Sequence, residues 1–146
     1  MEEIDAKSIE DAKKKAKKKG FPLIKAKDDH FNRKLLEQCR NIILLSPEAG
    51  NRKDSLRQID SGLNHVLAKI ASKNKNSIAI DLKELSSLEK HEKASRISKI
   101  IQNIKICRKA KTRLIALNTS DKKAFHFLIS LGASTLQARQ ATTKSF

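Results

Sequence analysis

Four times in succession this chain runs a short apolar segment into a longer stretch of helical periodicity, and that alternation narrows its fold more than any other feature. Phe21 to Lys27, Asn41 to Ser46, Ser77 to Leu82 and Arg113 to Leu117 are the strand-length segments, rich in Ile, Leu and Ala. The helical stretches are Asp29 to Arg40, Ser61 to Lys73, Leu88 to about Lys109, and Asp121 to Leu131, which Gly132 closes; Thr135 to Ala141 adds a turn or two. Leu63, Val66, Leu67 and Ile70 give the second of these its apolar face. On the long third one, Ile97, Ile101 and Ile104 share a face, with Arg96, Lys99 and Asn103 away from it. Continuous apolar strands belong to sheets buried on both faces. Parallel neighbours need crossovers of a dozen residues or more, which the helices supply. The expectation is an α/β domain with a parallel sheet covered by helices.

Ahead of this pattern, Ser8 to Lys19 reads as a short helix. Ser8 caps it, acids fill its first turn and lysines its last, and Gly20 stops it. Its apolar side (Ile9, Ala12, Ala16) is thin, so weak attachment is expected. The lysine run fits phosphate tracking and a solvated helix end equally well. The division expected is a lysine-rich helical segment over 1–20 and one α/β domain over 21–146.

Charge says most about partners. The chain carries a formal +16, and the 54 residues from Lys93 to Phe146 hold twelve lysines and arginines against one acid, Asp121. So one-sided a balance favours an anionic partner, and Lys and Arg on phosphates supply most sequence-independent affinity for nucleic acid. Trp and Tyr are absent and Phe occurs five times. A stacking platform for single-stranded bases needs exposed rings, so contacts to the phosphates of a structured nucleic acid fit better.

Enzyme constellations are hard to find. There are four glycines, with no phosphate loop and no GxGxxG after a strand. His30, His65, His91 and His126 never stand as HxH or HExxH, and Cys39 and Cys107 lie far apart without CxxC spacing. Both cysteines sit in apolar-periodic stretches and read as small buried hydrophobes. Asp81 and Glu84, near the end of a strand, stand where barrel enzymes place catalytic groups, but without a nucleophile, base or metal partner. No catalytic residue is assigned. With no apolar run of membrane-crossing length, and no signal-peptide pattern at Met1-Glu2-Glu3, a soluble cytoplasmic protein is expected.

The chemically dense segment is Glu48 to Asp60, with Arg52, Lys53 and Arg57 ahead of the Ser61 helix. Arg offers a rigid fork for phosphate, and a helix start favours anions. Asp54 and Asp60 could orient those cations, or Asp60 or Ser61 could cap the helix.

Several segments, in order, resemble a known family. Asp28-Asp29-His30-Phe31-Asn32-Arg33-Lys34-Leu35-Leu36-Glu37, Ile42-Ile43-Leu44-Leu45-Ser46-Pro47-Glu48 and the Arg52-Lys53-Asp54 loop are similar to consecutive segments of the barrel-type protein subunit of ribonuclease P. The closest part is Gly62-Leu63-Asn64-His65-Val66-Leu67-Ala68-Lys69-Ile70-Ala71 followed by Ser77-Ile78-Ala79-Ile80-Asp81-Leu82-Lys83-Glu84-Leu85, and Arg96 and Asn103 fit the pattern too. The resemblance covers about Phe21 to Ala141.

It implies a TIM-like barrel, here cut to about four strand–helix units, and an accessory RNA-binding subunit. Cleavage of the 5′ leader from precursor tRNA would belong to the RNA subunit with its Mg2+, and the protein itself would hold no cofactor. Implied partners are ribonuclease P RNA, precursor tRNA and another ribonuclease P protein subunit, with no membrane. By the resemblance, Arg33, Arg52, Lys53 and Arg57 contact RNA, with Arg96, Lys99, Arg108 and Arg113 as a second set. Asn32, Asp54 and His65 are orienting or structural groups. Two departures stand out. Half a barrel leaves two open strand edges, so a second copy or a partner protein is expected to cover them. After Asn118 the chain also enters a helix directly, where family members carry a longer loop with an Arg-Pro pair. The competing functions are a general basic RNA-binding or ribosome-associated protein and, less favoured, a metal-dependent phosphoesterase.

Overall fold

The computed structural model describes residues 3–17, 20–50, 52–54 and 58–143. Among them run β1 (Glu3–Ile4), α1 (Ile9–Ala16), β2 (Leu23–Lys25), α2 (Asp29–Gln38), β3 (Ile43–Leu45), α3 (His65–Lys73), β4 (Ser77–Asp81), α4 (Leu82–Ser87), α5 (Lys90–Ala110), β5 (Leu114–Leu117), α6 (Asp121–Ser130) and α7 (Thr135–Thr142). The strands form one parallel sheet in the order β1-β2-β3-β4-β5. Each crossover therefore moves one strand along, the rule by which a barrel wall grows.

Register makes the sheet two-faced. Ile24, Leu44, Ile78 and Leu114 align across four strands and are buried with residues of all seven helices, including Ala12, Leu35, Leu67, Leu85, Ile104, Leu128 and Ala138. The alternate positions Leu23, Ile43, Leu45, Ala79 and Ile115 form a second buried cluster on the opposite, helix-free face. Period-two alternation with both faces apolar is the signature of a barrel wall, with helices outside and side chains inside. The fold class read from sequence, a parallel TIM-barrel-like α/β fold cut to about four strand–helix units, is the class observed.

Several expectations need correction. The sheet has five strands rather than four, because Glu3 and Ile4 pair with Leu23 and Ile24. A two-residue strand lies below the length at which periodicity can be seen. The helix behind it is better anchored than its composition implied, since Ala12 is fully buried in the main core. The long helix expected from about Leu88 to Lys109 is α5, but a separate helix, α4, precedes it where the strand was expected to run to Leu82, with the Asp81 carboxylate accepting from the Lys83 and Glu84 amides to start it. Helix α3 begins at His65, where Asn64 accepts from the Leu67 amide at 2.9 Å, so neither Asp60 nor Ser61 is its cap. The stripe Arg96, Lys99 and Asn103 turns inward: Lys99 and Asn103 are buried and the Arg96 side chain is 12% exposed.

Polar side chains close the joints. Asn76 is buried at the start of β4; its Oδ1 accepts from the Ile42 amide, and its Nδ2 donates to the Leu36 and Cys39 carbonyls. Cys39 and Cys107 are buried free thiols, as their apolar settings implied.

Candidate nucleic-acid interface

The longest connection, 46–64, lies between β3 and α3 at the carboxyl ends of the strands, the end at which such folds carry their sites. Its path is held by groups from three elements. Gly62 has φ of +80°, and a Cβ there would overlap the Pro47 carbonyl oxygen, so glycine alone lets the two limbs of the loop touch. Arg52 braces the same turn. Its Nε donates to the Pro47 carbonyl at 2.8 Å, and its Nη1 reaches Asp29 at 2.7 Å and Asp60 at 3.1 Å. Asp54 accepts from the Asp60 amide at 2.8 Å, closing the loop on itself.

Helix α5 grips the loop from the other side. Arg96 Nη2 lies 3.2 Å from Glu48 and its Nη1 3.3 Å from Glu84; Lys99 Nζ donates to the Arg52 carbonyl and stands 3.9 Å from Asp54. Gln102 donates to the Ile59 carbonyl and Asn103 to the Ser61 carbonyl. The i, i+3, i+7 spacing of Arg96, Lys99 and Asn103 is thus a polar seam along one helix face. Glu48 is 1% exposed, and burial pushes its carboxyl above the ordinary carboxylate range, an effect the Arg96 guanidinium partly offsets. Its Oε2 is without a hydrogen-bond partner among the described residues. Glu48 was not singled out from sequence; its only signal is an acid directly after Pro47 at the end of an apolar run.

The predicted RNA contacts therefore fall into separate groups. Arg52, Lys53, Asp54, Arg96 and Lys99 come together around the loop, but Arg52, Arg96 and Lys99 are largely buried and bonded within the chain, whereas Lys53 is exposed. Arg33 is exposed on α2, paired with Glu37 at 2.9 Å. Asn32 is buried, its amide exchanging hydrogen bonds with the Lys27 backbone across the β2–α2 turn. Arg108 and His65 lie on the outer helical layer and help line another cavity. Arg113, at the start of β5, donates to the Gln140 and Thr143 carbonyls and ties down α7. Arg57 lies outside the described residues.

Beside the loop a cavity of about 720 Å³ is lined by Lys25, Lys27, Arg52 and Lys53, but also by Asp28, Asp29 and Asp60. Lys27 is 3.3 Å from Asp5 and sits over the Phe31 ring. This rim is of mixed sign. Asp81 is occupied as the α4 cap, and the four histidines are each exposed on different elements. Among the described residues no group of three or more His, Cys, Asp and Glu side chains could hold a metal ion, and no helix is long and apolar enough to cross a membrane.

No family model matches the chain. A curated relative from Methanococcus vannielii, ribonuclease P protein component 3, is 30% identical over 92 residues. This chain is similar to ribonuclease P protein component 3. The matched stretch is 63% of this chain but 37% of the relative, so it spans little more than a third of that protein's length. Among solved structures, a chain of archaeal ribonuclease P with mature tRNA superposes with a TM-score of 0.79 at 24% identity, covering 95% of this chain and 62% of that one. The structural likeness carries the fold; the sequence likeness bears out the resemblance read from the segments above.

Proposed function

We propose that this chain is an RNA-binding protein subunit of ribonuclease P, supporting the RNA that removes the 5′ leader from precursor tRNA. The observation that carries the reading is the 30% identity to ribonuclease P protein component 3, in a chain with a formal charge of +16. The role is accessory: bond cleavage falls to the RNA subunit and its Mg2+, and this chain contributes cations and a rigid scaffold. Lys53 and Arg33, with Lys25 and Lys27 at the same end of the sheet, are the exposed groups proposed to meet phosphate there; Arg57 stays in the proposed set. Arg52, Arg96 and Lys99 act by fixing the loop that carries them, and Asp54 and Asn32 orient it. A neighbouring subunit or a second copy would pair with the edge strands β1 and β5, and a cytoplasmic location accompanies this role.

The test is reconstitution of leader removal from precursor tRNA with ribonuclease P RNA and Mg2+, with and without this chain. Faster cleavage on adding the chain supports the proposal. An unchanged rate, or cleavage by the chain without RNA, overturns it. RNA recovered with the chain from cells supplies a second arm: enrichment of ribosomal RNA instead of ribonuclease P RNA would favour a ribosome-associated role.

A further inference from the structure

We propose that the groove between the start of α3 and the last turns of α5 is a second RNA site, taking the phosphate backbone of an RNA duplex. The proposal rests on the RNA-binding reading above and adds to it a surface that shares no residue with the rim cavity. The groove encloses about 400 Å³ between Asn64 and His65 on one side and Gln102, Lys105, Arg108 and Lys109 on the other. Its floor is apolar, formed by the buried Leu63 and Ile106.

Charge distinguishes this groove from the rim. The rim sets three aspartates among its cations, whereas no carboxylate lines the groove. No Asp or Glu occurs anywhere from Ser61 to Ile80 or from Lys93 to Ser120, the two spans that supply every lining residue except Gln58. Lys105 and Lys109 stand one helical turn apart, about 6 Å along the axis, with Arg108 beside them. Lys69 follows His65 by one turn on α3. All five side chains are exposed, and Lys69, Lys105 and Lys109 form no ion pair among the described residues. Cations in an acid-free concavity focus a positive potential, which raises the local concentration of polyanion.

The groove is also fixed before any ligand arrives. Its loop wall is pinned to α5 by Gln102 on the Ile59 carbonyl at 3.1 Å and Asn103 on the Ser61 carbonyl at 3.0 Å. Arg108 Nη1 donates to the Gly132 carbonyl at 2.9 Å, which sets the guanidinium while the side chain stays exposed. Such preorganisation lowers the ordering cost of association. Apart from the exposed His65 imidazole no ring lines the groove, so successive bases find no run of stacking rings and a duplex backbone fits better than a single strand.

The experiment uses the full chain and a labelled short RNA duplex, with binding followed by fluorescence anisotropy from about 50 to 200 mM salt. Lys69→Ala/Lys105→Ala/Lys109→Ala should weaken binding and lower the slope of log K against log salt by about 2–3, near 0.9 for each phosphate left without its lysine. A rim variant, Lys25→Ala/Lys27→Ala/Lys53→Ala, runs alongside. Should the groove alanine set melt early, the same positions changed to Gln give the slope on a folded chain. An unchanged slope in the groove variant, with wild type still binding, sinks the groove alone. Wild type that ignores the duplex overturns both the groove and the RNA-binding reading. Tighter binding to phosphatidylserine vesicles than to RNA would also overturn the groove, by naming a different polyanion.

Discussion

Removing the Arg96 side chain isolates the contact on which the loop geometry turns. Arg96 is 12% exposed and bridges Glu48, 1% exposed, to Glu84, 43% exposed. Arg96→Ala leaves Glu48 buried with neither carboxylate oxygen paired to a side chain among the described residues, since its Oε2 already lacks a partner there. Breaking a buried pair from one side costs about 3–5 kcal/mol, while the half-exposed Glu84 arm contributes about 1 kcal/mol or less. Against a total stability of about 5–15 kcal/mol, this should lower the melting temperature by on the order of 10 °C. The pH dependence has a definite sign. Burial raises the folded-state pKa of Glu48, so the folded chain holds that proton more tightly than the unfolded one. Stability from this group is full below the ordinary carboxylate range and falls as pH rises through the folded value. Without Arg96 the folded value rises further, so the loss should be larger at about pH 7.5 than at about pH 5. Adding Glu48→Gln to Arg96→Ala removes the stranded charge and should recover most of the loss. Urea melts of the wild type, both single variants and the double variant at the two pH values give the coupling directly. A loss below about 1 kcal/mol, equal at both pH values, refutes the clamp. If that variant also lost RNA affinity, Arg96 would be a surface contact instead.

Three further outcomes follow from the same geometry. Gly62→Ala combines a left-handed backbone, worth about 1–2 kcal/mol, with a backbone clash at Pro47; a melting temperature within about 2 °C of wild type would show that the loop can take another path. Arg52→Ala should destabilise, because its guanidinium holds Pro47, Asp29 and Asp60, whereas exposed Lys53→Ala should change stability by less than about 0.5 kcal/mol and act on RNA affinity alone; reversed effects in paired melts and binding curves would exchange the two roles. The Cys107 thiol is pushed up to about 12 by burial, so a maleimide at neutral pH should leave it unlabelled until the chain unfolds, and labelling of the native protein would contradict its placement.

What the sequence revealed depended on how far each signal extends along the chain. The four strand–helix repeats were legible because Ile43 to Leu45 or Ile78 to Ile80 cannot be half-solvated strands: every residue is apolar, and in the structure every one is buried. Glu3–Ile4 was not legible because two residues carry no period, and only their pairing with Leu23 and Ile24 makes them a strand. The stripe of Arg96, Lys99 and Asn103 was misplaced for a different reason. Helical periodicity separates apolar from polar positions, but a polar stripe facing solvent and one facing a buried polar loop have the same pattern. Ile97 and Ile101 are half-buried while Ile100 is fully buried, so even the apolar face was rotated by part of a turn. Lys105 and Lys109 carry no local signal in a chain so rich in cations; what distinguishes their groove is the absence of acids over two distant spans, which only the fold brings together.

The fate of the arginines leads to a last expectation about RNA affinity. Arg33, Arg52, Arg96, Arg108 and Arg113 are each bonded to a carboxylate or a backbone carbonyl of this chain. The guanidinium fork meets two acceptors at fixed angles, which suits it to internal bracing. Lysine is a mobile point charge, and many of the exposed cations are lysines, including Lys25, Lys53, Lys69, Lys105 and Lys109. Affinity for RNA should therefore be carried by lysines. Acetylating the native chain removes their charge, whereas reductive methylation keeps it. The buried Lys99, 5% exposed, should escape both reagents, so the loop clamp survives. Acetylation should then abolish salt-dependent RNA binding with the circular dichroism spectrum intact, and methylation should spare it. An acetylated chain that still binds RNA with the original salt slope would shift the contacts to the arginines and release them from their bracing role.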